Sequence, residues 1–176
     1  TKSASLVCLI NSVRQIKDRK GKPLTFINFN DGTGSMDGIV SSETLENCHN
    51  ILKEGEILSL RGTVEVDDYR TGDLGSLMFR MRVKEVHTID SVLNKKVKDV
   101  IIDINKSNAN SLVKFSEYLD TFDKDFWKDG SCRLNVRVTS DQSEAIIDIG
   151  DKFKFTPSLE SFFSLEDVFG KDIVEI

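Results

Sequence analysis

The sequence has few of the residues that bind structural metals or form disulfides. Its three cysteines are Cys8, Cys48 and Cys132, and its two histidines are His49 and His87. These residues are widely separated, and no pair has the spacing of a metal site or a redox motif. We therefore expect reduced thiols in the core, no structural metal, no cofactor and no catalytic residues.

Long apolar segments are also absent. No stretch approaches the roughly 20 residues needed to cross a bilayer, and the N-terminus, Thr-Lys-Ser-Ala, lacks the apolar segment of a signal peptide. The sequence therefore predicts a cytoplasmic protein that does not contact a membrane. The missing initiator methionine suggests a piece of a longer protein, so an activity of the parent can lie outside this segment.

An excess of positive charge is lacking as well. The formal net charge is −5; residues 1–90 contain 12 basic and 13 acidic residues, whereas residues 91–176 contain 12 and 16. The 39% of hydrophobic residues is typical of a folded protein. Because the pattern changes near residue 90, we expect two domains, 1–90 and 99–176, joined by a polar linker at 91–98.

Five strands and one helix are predicted in the first domain. Strands at 6–17, 24–30 and 36–40 precede a helix that begins near Ser41, and strands at 56–66 and 77–89 follow it. This β-β-β-α-β-β order is that of an all-β OB-fold barrel, whose first hairpin flanks the nucleic-acid groove. The same hairpin is the most basic part of the chain, with Arg14, Lys17, Arg19, Lys20 and Lys22.

The segment from Phe26 onward gives the most specific functional indication. Strand alternation directs Ile27 and Phe29 to one side, toward the core, and Phe26 and Asn28 to the other. An outward aromatic ring is a platform on which a nucleic-acid base stacks. Cover by a neighbouring domain of a longer protein is the alternative explanation for Phe26.

Strands four and five are predicted to have one core face and one polar, partly cationic face. The core residues expected are Leu58, Leu60, Val64, Val66, Leu77, Phe79, Met81 and Val83, and the outward ones include Ser59, Thr63, Met78 and Lys84. The candidate nucleic-acid-binding residues are Arg14, Lys17, Lys20, Lys22, Phe26, Asn28, Arg61, Arg80 and Arg82. Simple solvation of a strand face is the alternative for each of the last three arginines.

Several motifs of this domain, in the same order, resemble the OB domain of the bacterial DNA polymerase III alpha subunit. They lie at 9–14, 20–23, 26–34, 52–58 and 61–64. Anticodon-binding domains of class II aminoacyl-tRNA synthetases share the strand around Phe26, so a tRNA anticodon-binding fragment remains an alternative. An independent single-stranded nucleic-acid-binding protein is the other. A small second domain that closes the chain favours the polymerase.

The resemblance implies a non-catalytic C-terminal fragment of a DNA-directed DNA polymerase, a nucleotidyltransferase whose catalytic aspartates lie elsewhere. It also implies that the OB domain contacts single-stranded template DNA and that the C-terminal domain docks on the tau subunit of the clamp loader, within the polymerase holoenzyme. The family tends to have glycine near Cys8 and an aromatic residue near Ser41. The platform for bases is therefore expected to be smaller here.

Residues 99–176 are predicted to form a small α+β domain of two layers. Strands are expected at 100–104, 132–138, 145–149 and 152–155, with a helix capped by Ser107 and Asn108 after the first. A helix from Thr156 to Gly170 carries a wide apolar stripe, and a strand at 173–176 follows. A stripe buried in the core is one interpretation. The resemblance instead implies tau contacts at Phe163, Val168, Phe169, Ile173, Val174 and Ile176.

Overall fold

The computed structural model describes residues 2–17, 21–68, 77–104, 115–117, 119, 126–127, 130–140, 143–171 and 174–175. The chain divides into two compact units, Thr1–Ile89 and Asp90–Ile176. Each unit has its own cluster of buried apolar side chains. In the described residues, no helix combines the length and the apolar character required to cross a membrane.

The first unit is a closed barrel of five strands. They are β1 (Lys2–Lys17), β2 (Pro23–Asn30), β3 (Ser35–Val40), β4 (Ile57–Val66) and β5 (Phe79–Thr88), with helix α1 (Ser42–Cys48) between β3 and β4. Around the barrel the order is β1-β2-β3-β5-β4, and β4 pairs with β1 to close it. β3 and β5 run parallel, and the other neighbours run antiparallel. This topology confirms the predicted OB-fold barrel.

Alternation along each strand builds the barrel core. Ile27 and Phe29 of β2 are buried as predicted, and so are Leu58 and Leu60 of β4. Such burial of large apolar side chains contributes about 1.5–3 kcal/mol each relative to exposure. Cys48 at the end of α1 joins this core. The apolar side of α1 thus packs against the barrel core.

Gly62 allows β4 and β5 to approach each other closely. The pairing register shifts between Arg61 and Gly62, because Arg61 lies opposite Glu85 while Gly62 lies opposite Val83. A Cβ atom at Gly62 would lie 2.2 Å from the carbonyl oxygen of Arg82. Only glycine fits there, which gives a physical reason for the Arg-Gly motif of β4.

Three of the core positions predicted on β4 and β5 are wrong. Val66, Leu77 and Phe79 are exposed. Val66 and Phe79 form the last pair of the β4–β5 ladder, whereas β3 pairs with β5 only from Arg80 onward. Alternation directs these side chains to the core side, but they lie beyond the end of the closed barrel.

The three cysteines are buried free thiols, as the sequence predicts. Burial raises the pKa of Cys8 to about 11, with a further contribution from the Asp31 carboxylate. Burial likewise raises the pKa of Cys132 to about 11. These groups are therefore protonated and unreactive at neutral pH.

The second unit is built on a four-stranded sheet. Its elements are α2 (Ile89–Lys96), β6 (Asp99–Asp103), β7 (Arg133–Ser140), β8 (Ser143–Asp148), a 3-10 turn (Asp151–Phe153), α3 (Leu159–Phe169) and β9 (Val174–Glu175). The strand order is β8-β7-β6-β9, with β6 and β7 parallel and the outer pairs antiparallel. Leu134 and Val136 of β7 share a core with Phe162 and Leu165 of α3. A sheet with helices agrees with the α+β prediction in outline.

Three local predictions for this unit are corrected by the structure. Most of the predicted linker at 91–98 belongs to α2, whose Leu93 packs against the core. The segment 152–155 is not a strand: its first two residues belong to the 3-10 turn, and Phe155 forms an isolated bridge with Cys132. The last helix begins at Leu159, because the Ser158 hydroxyl accepts a hydrogen bond from the Ser161 amide at 3.0 Å. The predicted cap at 107–108 lies outside the described residues.

Candidate nucleic-acid interface

Phe26 lies in a row of outward side chains that crosses four strands. The strand register pairs Phe26 with Arg14 of β1 and with Ile39 of β3, and it pairs Ile39 with Arg82 of β5. Paired residues project from the same face of a sheet. We call Arg14, Phe26, Ile39 and Arg82 the Phe26 row. Phe26 is half-buried within it, opposite in direction to the buried Ile27.

Two clefts open along this row. One, of about 240 Å³, is lined by Ser12, Arg14, Phe26, Ile27, Asn28 and Asp37. The other, of about 360 Å³, is lined by Leu24, Ile39, Ser41, Glu43, Thr44, Asn47, Arg82, Val83 and Lys84. Both combine apolar surface with cationic side chains. That combination suits the flat base and the anionic phosphate of a nucleotide.

Asn28 lies in the next row and is held by hydrogen bonds within the barrel. Its side-chain oxygen accepts a bond from Nδ2 of Asn11 at 2.9 Å, and its Nδ2 donates to Oδ1 of Asp37 at 2.6 Å. Both functions of the amide are thus used on the protein surface. Asn28 therefore helps to fix the floor of the smaller cleft.

Glu65 joins the two arginines predicted on β5. Its Oε1 lies 3.0 Å from Nε of Arg80 and 3.1 Å from a terminal nitrogen of Arg82. Burial raises the pKa of the Glu65 carboxyl, but the hydrogen bonds and charges of Arg80 and Arg82 outweigh it, so the pKa lies below its ordinary value. Glu65 is therefore ionised at neutral pH and offsets part of the positive charge. The alternation of β4 is enough to direct Glu65 outward, but its contact with Arg80 and Arg82 depends on the β4–β5 register.

Arg80 carries a second acidic neighbour. One of its terminal nitrogens lies 3.5 Å from Oδ1 of Asp67, and its side chain is mostly covered. Arg82 is more exposed than Arg80. Of the two, Arg82 is therefore the better placed to meet a phosphate.

The remaining basic candidates lie outside the Phe26 row. Arg61 pairs with Glu85 at 3.2 Å, beyond the part of β5 that contacts β3. Lys17 and Lys22 are exposed near the tip of the β1–β2 hairpin. Lys20, together with Arg19, lies outside the described residues. The structure thus brings Arg14, Phe26 and Arg82 together and leaves Arg61 apart.

Ser41 has a structural role at the edge of the larger cleft. Its hydroxyl accepts a hydrogen bond from the Thr44 amide at 3.2 Å and so caps α1. An aromatic residue could not supply this cap. The position where the family tends to have an aromatic residue is therefore occupied here by the N-cap of α1.

Comparison with known proteins agrees with this geometry. Residues 7–89 match the family model described as an OB-fold nucleic acid binding domain. The chain is 24% identical to the DNA polymerase III subunit alpha of Vibrio cholerae over 176 aligned residues, and this alignment covers 99% of the chain. It is 23% identical to that of Pseudomonas aeruginosa over 168 aligned residues, which cover 94% of the chain. The chain is a relative of bacterial DNA polymerase III alpha subunits. It spans only 13–14% of the length of these two relatives.

Two solved structures align with about half of this chain. The SSB domain of a Synechococcus sp. protein is 10% identical and aligns over 49% of this chain and 94% of its own, with a TM-score of 0.41. The mitochondrial single-stranded DNA binding protein Rim1 of S. cerevisiae is 11% identical and aligns over 50% and 95%, also with a TM-score of 0.41. The fold assignment itself rests on the strand order of the barrel and on the family match.

In the second unit of this chain, the apolar stripe of α3 is divided between the core and the surface. Phe162 and Leu165 are buried. Leu159 and Phe163, one turn apart, are exposed by 44% and 58%. The exposed pair forms a small apolar surface. Leu159 was predicted as part of the apolar stripe but not as a tau contact.

The other predicted tau contacts are less accessible or undescribed. The Phe169 ring lies 5.6 Å from the ring of Phe115 and packs against the core. Val174 also packs against the core, and Val168 is half-buried. Ile173 and Ile176 lie outside the described residues. Among the six candidates, Phe163 is therefore the one that the described structure presents to solvent.

Strand β9 of this chain is part of the four-stranded sheet of the second unit. Val174 and Glu175 of β9 pair with Ile102 and Ile101 of β6. The Glu175 carboxylate also lies 2.6 Å from a terminal nitrogen of Arg137 on β7. The hydrogen bond that Arg137 donates to the Glu175 carboxylate raises the pKa of Arg137.

Proposed function

We propose that this chain is a non-catalytic part of a DNA polymerase III alpha subunit and that its barrel binds single-stranded DNA along the Phe26 row. The observation that carries the proposal is the half-buried Phe26 ring between Arg14 and Ile39, with a cleft on either side of the row. The similarity to polymerase alpha subunits supports the same conclusion. The rest of the polymerase holoenzyme is the expected setting.

The geometry favours an unpaired strand over a duplex. A base can stack on an aromatic side chain only when it is not stacked within a duplex, as in single-stranded DNA. Stacking on Phe26 supplies about 1–3 kcal/mol per base and tolerates any base. Arg14 and Arg82 then meet the phosphates on either side.

Binding through so few cations has a clear signature. Each phosphate neutralised on a single strand contributes a slope of about −0.7 to the logarithm of affinity against the logarithm of salt concentration. Two phosphate contacts therefore predict a shallow slope of roughly −1.4. The barrel should act as one contact among several in a longer polymerase chain rather than as a tight binder by itself.

Phe26→Ala tests this proposal. Loss of the stacking surface should weaken binding of fluorescently labelled poly-dT in low-salt buffer by about 5- to 150-fold, which corresponds to 1–3 kcal/mol. The melting temperature should change little because the ring faces outward. Phe79→Ala is the matched control, since Phe79 is an exposed ring of the same barrel outside the row.

Three results would contradict the proposal. Equal losses in the two variants would remove Phe26 from the interface, and a large fall in melting temperature for Phe26→Ala would make the ring a core residue. Tighter binding to an anticodon stem-loop RNA than to poly-dT would favour the tRNA alternative.

We also infer that the second unit docks on the tau subunit of the clamp loader through Leu159 and Phe163. The support is the exposure of these two side chains on α3 and the resemblance to the polymerase family. Residues four apart on a helix are neighbours on its surface, so the two side chains form one apolar contact area for a partner.

Phe163→Ala tests the tau contact. The substitution should weaken binding of purified tau by about fivefold or more, because truncation of an aromatic at the centre of an interface costs ~1–4 kcal/mol. Ile57→Ala is the control: Ile57 has the same 57–58% exposure but lies on the barrel. Unchanged tau affinity in Phe163→Ala, measured by calorimetry, would remove α3 from the interface.

A further inference from the structure

Strand β8 forms an edge of the second sheet, and all six of its residues are exposed. The amide of Ile149 donates to the carbonyl of Leu134 at 3.3 Å. Because bonds alternate along an antiparallel ladder, Ala145 and Ile147 direct their backbone groups toward β7. Glu144, Ile146 and Asp148 direct theirs to the opposite edge. Within the described residues, no strand pairs with that edge.

The strand also presents apolar side chains on both faces. Ile146 and Ile147 point to opposite sides of the sheet and are exposed by 53% and 51%. Proteins usually protect an edge strand with charged side chains, above all lysine, with proline or with a bulge. The β8 segment Ser143–Asp148 has two carboxylates, Glu144 and Asp148, but no proline or lysine, and its pairing with β7 is regular. Such an edge is a template for an added strand.

Charge indicates which strand would fit. Glu144, Ile146 and Asp148 share one face of the sheet, next to Arg137. The guanidinium of Arg137 lies within 3.5 Å of three carboxylates, those of Asp103, Glu144 and Glu175. The edge strand itself contributes two carboxylates to this face, those of Glu144 and Asp148. The open edge is acidic.

A second copy of this chain would fit poorly at that edge. Antiparallel pairing centred on Ile146 would place Glu144 of each copy opposite Asp148 of the other. Like charges directly opposite each other destabilise a strand pair. A segment with a basic residue two positions on either side of an apolar one instead places a cation opposite each carboxylate.

We propose that β8 accepts an extended segment of another protein, with the pattern basic-x-apolar-x-basic, as an added antiparallel strand. The backbone groups of Glu144, Ile146 and Asp148 form the new ladder, while Ile146 packs beside the apolar residue of the segment. This surface belongs to the second unit and shares no residue with the Phe26 row or with the exposed pair on α3.

The peptide acetyl-Thr-Lys-Val-Val-Val-Lys-Thr-amide is a suitable probe, and the same peptide with glutamate in place of lysine is its control. Amide hydrogen exchange is measured by NMR on the 176-residue chain. The lysine peptide should slow exchange at Glu144, Ile146 and Asp148 and leave Ala145 and Ile147 unchanged, since the latter already bond to β7. Reversal of two charge pairs should make the glutamate peptide about tenfold weaker.

Two variants sharpen the test. Glu144→Lys with Asp148→Lys should reverse the preference between the peptides, while Arg137 keeps Asp103 and Glu175 as partners. Ile146→Pro removes a backbone donor that faces the free edge but spares the β7 ladder. It should abolish the slowed exchange at Glu144 and Asp148.

Several outcomes would overturn the proposal. They are equal affinity for the two peptides, no binding at about 1 mM peptide, or slowed exchange without the alternating pattern. A dimer in sedimentation with these amides already protected would show that a second copy occupies the edge. Poly-dT binding should be unaffected throughout, so failure here is distinct from failure of the DNA-binding proposal.

Discussion

At the scale of single residues, the candidate interface depends on how charges are compensated. Phe26 could be found from the sequence because strand alternation alone shows an aromatic on the outward face. The contact between Glu65 and two arginines could not, since it depends on the register of β4 against β5, which includes an irregularity near Gly62. The sequence pattern thus identified Phe26 and the arginines but not Glu65, whose carboxylate pairs with Arg80 and Arg82.

Glu65→Gln should strengthen DNA binding, because it removes a negative charge from between Arg80 and Arg82. We expect poly-dT affinity at low salt to rise by about two- to tenfold and the salt dependence to steepen. Glu85→Gln is the control, since Glu85 pairs with Arg61 outside the Phe26 row. Equal gains in both variants would indicate a general effect of net charge.

The same substitution has a pH-dependent effect on stability. The pKa of Glu65 is lowered in the folded protein, so its contribution is present above its ordinary value of 4.5 and is lost as pH falls through the folded value. Urea unfolding should therefore show wild type more stable than Glu65→Gln at neutral pH. The two curves should converge in acid below about pH 4.

At the scale of elements, the strands were predictable and their ends were not. Alternation of large apolar residues located β2 well, because β1 and β3 pair with it along nearly its whole length and its inward side chains lie inside the closed barrel. It failed at Phe79, since the sequence does not show where β3 stops pairing with β5. The helix in the 91–98 segment was not predicted because polar residues dominate the segment, although Leu93 and Val97 pack in the core.

Gly62→Ala tests the closure of the barrel. A methyl group 2.2 Å from the Arg82 carbonyl oxygen must push β4 away from β5. We expect a loss of about 3 kcal/mol or more in the free energy of unfolding measured with urea. Gly34→Ala is the matched control, because a Cβ there meets no atom within 4 Å. A stable Gly62→Ala variant would show that the strands can separate without cost.

At the scale of the whole molecule, each unit combines a sequence-visible core with surfaces that only the structure defines. The barrel order followed from the succession of five strands and a helix, and the family match covers that unit. The stripe of α3 looked uniform in sequence, yet Phe162 is buried while Phe163 is exposed. Helical periodicity locates a stripe, whereas its division between core and surface depends on what packs beside it.

The two-residue strand β9 limits what deletion experiments can show. A chain shortened before Val174 would lose a strand of its sheet, uncover the backbone edge of β6 and deprive Arg137 of one counter-charge. Failure of such a chain to capture a partner would report damage to its architecture as much as loss of a recognition tail. Dissecting this end of the protein therefore calls for side-chain exchanges that leave the final ladder intact.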